Sequence, residues 1–189
     1  MSKVWFISDC HFGHRNISKY RTQFSSMEEH DEFVFENIMS TVNKRDSLWM
    51  LGDMFFDGEV LEKYGKHIAE RAGYTHIILG NHDTDNTYRK KNVGRMFDLF
   101  DSVHGLHSKY GYWISHAPIH PVELRGKVNI HGHVHFATVM TEKYLKDTDN
   151  EVECEYVPDP NYVNVCCENV NYKPIDLQSI KAGWRSYDV

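Results

Sequence analysis

Five short apolar runs in this chain each stop at a cluster of polar, metal-ligating or turn-forming residues. That repetition constrains the fold more than any other feature. Val4-Trp5-Phe6-Ile7 leads into Ser8-Asp9, Leu48-Trp49-Met50-Leu51 into Gly52-Asp53, and Ile77-Ile78-Leu79 into Gly80-Asn81-His82-Asp83. Tyr112-Trp113-Ile114 leads into Ser115-His116, and Val128-Asn129-Ile130 into His131-Gly132-His133. Continuous apolar runs of this length read as strands covered on both faces. Between them, Met27 to Val42 places Met27, Phe33, Val34, Ile38 and Val42 at helical spacing, behind Ser25-Ser26 as caps. Val60 to Ala72 repeats the pattern and stops at Gly73. Strands alternating with helices predict an α/β sheet sandwiched by helices. Ligands of such sheets sit beyond the carboxyl ends of the strands, so the five polar clusters are expected to converge at one edge.

The chain has 189 residues, and one domain spanning 1–189 is expected, because domains centre on ~100–150 residues. An apolar share of 41% with 25% charged residues belongs to a chain that buries a core, which sets aside disordered and coiled-coil readings. Lys plus Arg number 21 against 27 Asp plus Glu, a net charge of −6. That balance does not suit a protein that coats long nucleic acid or an anionic membrane. No apolar run approaches the ~20 residues needed to cross a bilayer, and no secretory leader is legible at the N-terminus. Cys10, Cys154, Cys166 and Cys167 contain no CxxC pair, so a reduced, cytoplasmic chain is expected. In the last third, Lys146 to Pro160 carries Asp147, Asp149, Glu151, Glu153, Glu155 and Asp159. This stretch reads as a solvated loop or exposed hairpin, with a third metal site or partner surface as the rival reading. Tyr162 to Val170 predicts a strand and Asp176 to Trp184 a short closing helix.

The polar clusters carry the chemistry. In Asp9-x-His11, extended backbone would point residues i and i+2 to the same side, so both side chains could reach one ion. Gly52-Asp53 adds a second carboxylate after a tight turn. In Gly80-Asn81-His82-Asp83 the glycine permits a sharp turn, and the Asn amide oxygen can bind a cation without adding charge. His116, His133 and His135 follow. Each signal alone is weak, since a single histidine is more often exposed or satisfied by a neighbour. Their conjunction, each after a strand, is what points to a metal site.

Taken together, Asp9-x-His11, Gly52-Asp53, Gly80-Asn81-His82-Asp83, His116 and Gly132-His133-x-His135 resemble the calcineurin-like metallophosphoesterase signature over Lys3 to His135. The opening Asp9-Cys10-His11-Phe12-Gly13-His14 resembles that of a small bacterial and phage group. The resemblance implies a four-layer α-β-β-α sandwich with two divalent metal ions at the carboxyl ends of the strands. Asp9, His11, Asp53 and His135 would hold the first ion. Asp53, Asn81, His116 and His133 would hold the second, with Asp53 bridging. His82 would act from outside the metal shell as general acid or phosphate clamp, with Asn81 beside it. Asp83 would orient His82 by accepting its other N–H. The implied reaction is attack of a metal-held hydroxide on phosphorus.

Oxygen and nitrogen donors without a thiolate suit Mn, Fe, Zn or Ni more than Ca or Cu(I), and manganese is the expected metal. Two divalent ions against the carboxylates of Asp9 and Asp53 leave a positive pocket in an acidic protein, which selects an anion. A small phosphodiester is the preferred substrate, a nucleotide among the candidates. Phosphomonoesterase, pyrophosphohydrolase and nuclease are the alternatives, the last disfavoured because no basic stripe with interleaved aromatics is visible. The non-enzymatic rival is a metal-binding protein-interaction scaffold, against which stands a full set of motif residues. A dinuclear iron oxygenase would show helix-borne Glu-x-x-His pairs, and none occurs.

Around this set, His14 is expected to contact substrate because Gly13 bends its loop back toward the site. Arg15 and Arg21 are candidates to grip a phosphate or base, with a surface reading preferred for both. His120 is a candidate for the mouth. His67, His76, His104 and His107 read as structural, Arg89-Lys90-Lys91 as a solvated helix face, and Cys10 as pointing away into the sheet.

Overall fold

The structure is a computed structural model that describes residues 2–84, 87–148 and 151–186, the side chains of 87–91, 145–148 and 151–153 excepted. Its strands are β1 (Val4–Ile7), β2 (Ser47–Met50), β3 (Tyr74–Ile78), β4 (Ser102–His104), β5 (Leu106–Lys109), β6 (Tyr112–Ser115), β7 (Val128–His131), β8 (Met140–Thr148), β9 (Glu151–Pro158), β10 (Tyr162–Asn164) and β11 (Ile175–Asp176). One sheet has the order β11-β1-β2-β3-β4, parallel except for β11. The other has the order β10-β7-β6-β5, parallel except for β5. Phe6, Ile7, Leu48, Trp49, Met50, Ile77 and Ile78 of the first sheet and Ile114, Ile130 and Val163 of the second share one buried core. Strands covered on both faces explain why the runs are continuously apolar and not alternating.

Helix Met27–Thr41 starts where the caps predicted it. Ser26 Oγ accepts the Glu29 N–H at 3.1 Å, and the Glu29 carboxylate accepts the Ser25 N–H at 2.7 Å. The predicted helix from Val60 begins earlier, at Gly58, because Asp57 caps it by accepting the N–H groups of Glu59 and Val60. Its middle, Leu61–Gly65, is π-helical before Lys66–Arg71 resumes the α form. Leu61, Tyr64 and Ile68, at i, i+3 and i+7, are buried in the core. These helices and Thr87–Leu99 accompany the first sheet. On the second, the outer helical layer is the single turn Pro121–Leu124, held by a bond from Trp113 Nε1 to Leu124 O. The α-β-β-α order expected from the resemblance is present.

Other expectations are corrected in detail. The strand predicted over Tyr162–Val170 ends at Asn164, because the chain there leaves one sheet for the other. Val165 N donates to His131 O at the end of β7, Ser8 N to Val165 O, and Cys167 N to Ser8 O. The closing helix is shorter than predicted, Leu177–Lys181, capped by the Asp176 carboxylate. β4 and β5 carried no clear signal; both are short and lie at sheet edges. All of the acidic stretch but its end past Pro158 falls within the span of the β8–β9 pair, which among the described residues pairs only with itself. The side chains of Asp147, Asp149, Glu151 and Glu153 lie outside the described residues, as do those of Arg89, Lys90 and Lys91. No helix among the described residues is long and apolar enough to cross a membrane.

Candidate metal centre

The first two motif loops lie side by side. Asp9 N donates to Gly52 O at 3.1 Å, His11 N to Asp53 O at 3.0 Å and Phe12 N to Met54 O at 2.8 Å. Extended backbone is not what aligns Asp9 with His11. Asp9, His11 and Asp53 have φ of 56°, 54° and 53°, and His133 and His135 have φ of 71° and 50°. Non-glycine residues seldom adopt this left-handed region, and its occupants cluster at functional sites. Two glycines let these loops approach. A Cβ at Gly80 would strike the Asp53 carboxylate, and one at Gly132 would strike Ser8 Oγ and Asp9 Oδ2.

The strand ends thereby assemble two donor groups. Asp9, His11 and His135 bring their ligand atoms within 4.8 Å of one another, and so do Asp53, His116 and His133. Asp53 Oδ2 lies between them, 3.3 Å from His116 Nε2 and 4.0 Å from His11 Nε2. Asn81 Oδ1 joins the second group at 3.0 Å from His116 Nε2. All seven residues expected as ligands are therefore gathered in one place.

The donor atoms fit a cation. Asp9 Oδ1 and His11 Nε2 are buried, 3.7 Å apart, and neither has a hydrogen-bond partner. Buried polar atoms are almost always paired, so two converging lone pairs mark a place for a positive ion. The other oxygen, Asp9 Oδ2, is held by Ser8 Oγ, the His133 N–H at 2.8 Å and Cys166 Sγ at 3.3 Å. His116 Nδ1 donates to Leu51 O at 2.8 Å, which makes Nε2 the nitrogen that would face an ion once its proton is lost. Burial opposes charge on Asp9 but is outweighed by the neighbouring His11 imidazole, the His116 charge and its bonds to Ser8 and the His133 N–H, holding its carboxyl well below the usual range. Burial likewise opposes the His116 imidazolium, yet the Asp53 bond and the Asp9 and Asp53 charges push it up to about 9. Divalent ions at these donors would displace that proton.

The remaining expected residues divide. His82 lies in the turn after β3; its N–H donates to Asp53 Oδ1 at 2.9 Å and its ring lies 5.9 Å from that of His11. His14 packs edge-on to Phe56 at 4.6 Å. Both line a cavity of about 650 Å³ beside the donors, with His11, His135, Ile17, Tyr20, Arg21, Phe56, Phe136 and Glu168. Asp83 does not orient His82. Its buried Oδ2 accepts the N–H groups of Gly80 at 2.7 Å and Asp53 at 3.1 Å, and its Oδ1 has no partner, so it braces the Asp53 loop. Burial, with the nearby Asp53 charge, pushes its carboxyl up to about 7. Arg15 is exposed and outside the cavity wall. His120 also lies outside it: exposed, it caps Pro121–Leu124 by accepting the Val122 N–H.

Arg21 is not a surface residue. It is 2% exposed and donates to Asp9 O at 2.6 Å, Cys10 O at 3.2 Å and Glu168 Oε1 at 2.7 Å. Glu168 in turn meets His135 Nδ1 at 2.9 Å. Burial opposes the Glu168 charge, but the His135 bond and the Arg21 charge hold its carboxyl down at about 2. Asp31 steadies the same loop by accepting the Gly13 N–H at 2.8 Å. Arg21, Asp31 and Glu168 were not singled out as a support in the sequence; a lone carboxylate inside Tyr162-Val163-Asn164-Val165-Cys166-Cys167-Glu168 was the available signal. Cys10 is buried in the core, as expected, and all four cysteines are free thiols. His76, His104 and His107 stack around Trp49 away from the donors.

Paired donor groups that share an aspartate, set over the strand ends of a two-sheet α/β sandwich, place this molecule in the class of dinuclear metal-centre proteins. The chain belongs to the calcineurin-like phosphoesterase family, whose model matches residues 2–178. The family carries out metal-dependent phosphoester hydrolysis and uses a dinuclear metal centre. The gene 66 protein of Mycobacterium phage L5 is 30% identical over 168 residues, covering 75% of this chain and 81% of that protein. An uncharacterized protein of Methanocaldococcus jannaschii is 27% identical over 183 residues, covering 95% and 90%. A protein of unknown function from Aquifex aeolicus shares the fold, with a TM-score of 0.64 and 23% identity over 96% of this chain and 99% of that one.

Proposed function

We propose that this protein hydrolyses a small phosphodiester, with two divalent ions, manganese by preference, as its cofactors. The observation that carries the proposal is Asp53 Oδ2 lying between two donor groups, the first of which opens through His11 and His135 on a cavity. Asp9, His11, His135 and Asp53 would hold one ion; Asp53, Asn81, His116 and His133 the other. Ions so placed supply Lewis acidity and a bound water whose pKa falls toward ~7. A monoester dianion is best gripped by added cations, but the one guanidinium among the described residues that lines the cavity, Arg21, is already spent on Glu168 and two backbone carbonyls. A diester carries one charge fewer and a second substituent, which the cavity can receive. His82, on the cavity wall, is placed to give a proton to the departing oxygen, and the Asn81 amide lies beside it to steady negative charge.

The test compares bis(p-nitrophenyl) phosphate with p-nitrophenyl phosphate on manganese-loaded protein. The expected result is a higher kcat/KM for the diester. His82→Ala should lower kcat by ~10²–10⁴-fold, the usual worth of a general acid, while keeping its metal. Asp53→Asn should lose both turnover and metal. A higher kcat/KM for the monoester would overturn the diesterase reading. Bound metal with no turnover of either ester would favour the scaffold.

A further inference from the structure

We propose that the cavity beside the centre is a nucleobase site, so that the diester is a nucleotide; this rests on the hydrolytic reading above. Besides His11, His82 and His135, four rings line the space next to the donors: His14, Tyr20, Phe56 and Phe136. Tyr20 and Phe136 are 73% and 71% exposed, and they come from different chain segments, the loop after the first motif and the one after His135. Phe56 lies between the two halves of the site, 4.6 Å from His14 and 5.4 Å from His82 by ring centroids. The wall therefore joins the metal donors directly to aromatic surface.

The charged groups of the wall argue for what enters. Apart from histidines, those among the described residues are Arg21 and Glu168, which bond to each other at 2.7 Å. Among the described residues no further cation lines the cavity for a second phosphate. Flat, mostly apolar walls next to a phosphate site fit a planar heteroaromatic ring joined to phosphorus through a small linker. Every nucleobase offers a face for such stacking, with little dependence on its identity. A volume of about 650 Å³ lies within the range of pockets that take small organic ligands. The net charge of −6 argues against the rest of a polynucleotide following it.

The experiment measures binding of adenosine 5′-monophosphate and ribose 5-phosphate to the manganese-loaded protein by calorimetry. The two ligands share the phosphate and the pentose and differ in the base. Adenosine 5′-monophosphate is expected to bind about tenfold more tightly, the low end of what base–ring stacking supplies. Tyr20→Ala with Phe136→Ala should erase most of that preference; both side chains are exposed, so the double variant is expected to stay folded, checked by circular dichroism. Equal affinities in the unaltered protein, or a preference that survives the folded double variant, would overturn the proposal. Phosphate released from adenosine 5′-monophosphate during the titration would count against the diesterase reading alone, because the ratio of affinities would still report the base site.

Discussion

Glu168 shows how much of this site depends on a side chain outside the two donor groups that flank Asp53, although with His135 and Cys166 it forms a third group able to hold an ion. Its carboxylate is 4% exposed and bonds at once to the Arg21 guanidinium and to His135 Nδ1. A carboxylate on one imidazole nitrogen fixes the tautomer and strengthens the other nitrogen as a ligand. Glu168→Gln keeps the size but removes the charge, and should weaken manganese binding at one of two sites by about 10–100-fold in a calorimetric titration. Two unchanged sites would show that His135 is no ligand. The Glu168 carboxyl is held near about 2 against an ordinary 4.5, so its pairing stabilises the metal-free fold above pH 4.5 and loses that effect as pH falls toward 2. At this scale the seven donors were legible because each directly follows an apolar run. Arg21 and Glu168 were not, because they are 147 positions apart and meet only when the segment after β10 crosses to the first sheet and Val165 and Cys167 bond to Ser8.

At the scale of elements, the parallel strands were readable because burial on both faces writes itself as uninterrupted Val, Ile, Leu and Trp. β5 was not, because an edge strand with half-exposed residues carries no such signature. Nor could extended geometry have foretold the left-handed loops at Asp9, Asp53 and His133. Those loops depend on close approach. Gly132→Ala would drive a methyl group into Ser8 and Asp9 Oδ2, the oxygen that three donors hold in place. The expected cost is ~1–3 kcal/mol in urea unfolding, as for other overpacked sites, together with weakened metal binding. Gly94→Ala is the control: it lies in helix Thr87–Leu99 with nothing within 4 Å of the added carbon, and should stabilise by roughly 0.5–1 kcal/mol. Equal effects from both would mean that the Gly132 approach is not tight.

For the molecule as a whole, the donor groups tie folding to cation binding, because they assemble from five strand ends that are far apart in the unfolded chain. A ligand at 100 times its dissociation constant adds ~2.7 kcal/mol per site to the folded state. For a domain of this size each kcal/mol moves Tm by about 2–4 °C, so manganese should raise Tm by roughly 5–10 °C per site and a chelator should reverse it. The shift has a defined pH dependence. His116 in the metal-free protein titrates at about 9, so below that pH binding must expel its proton, and affinity should climb from pH 6 toward pH 9. Asp53 contributes the oxygen between both groups, so Asp53→Asn should flatten the shift at every pH. A thermal shift that survives in Asp53→Asn, or one that shrinks as pH rises across that window, would place the bound ion somewhere other than between these strand ends.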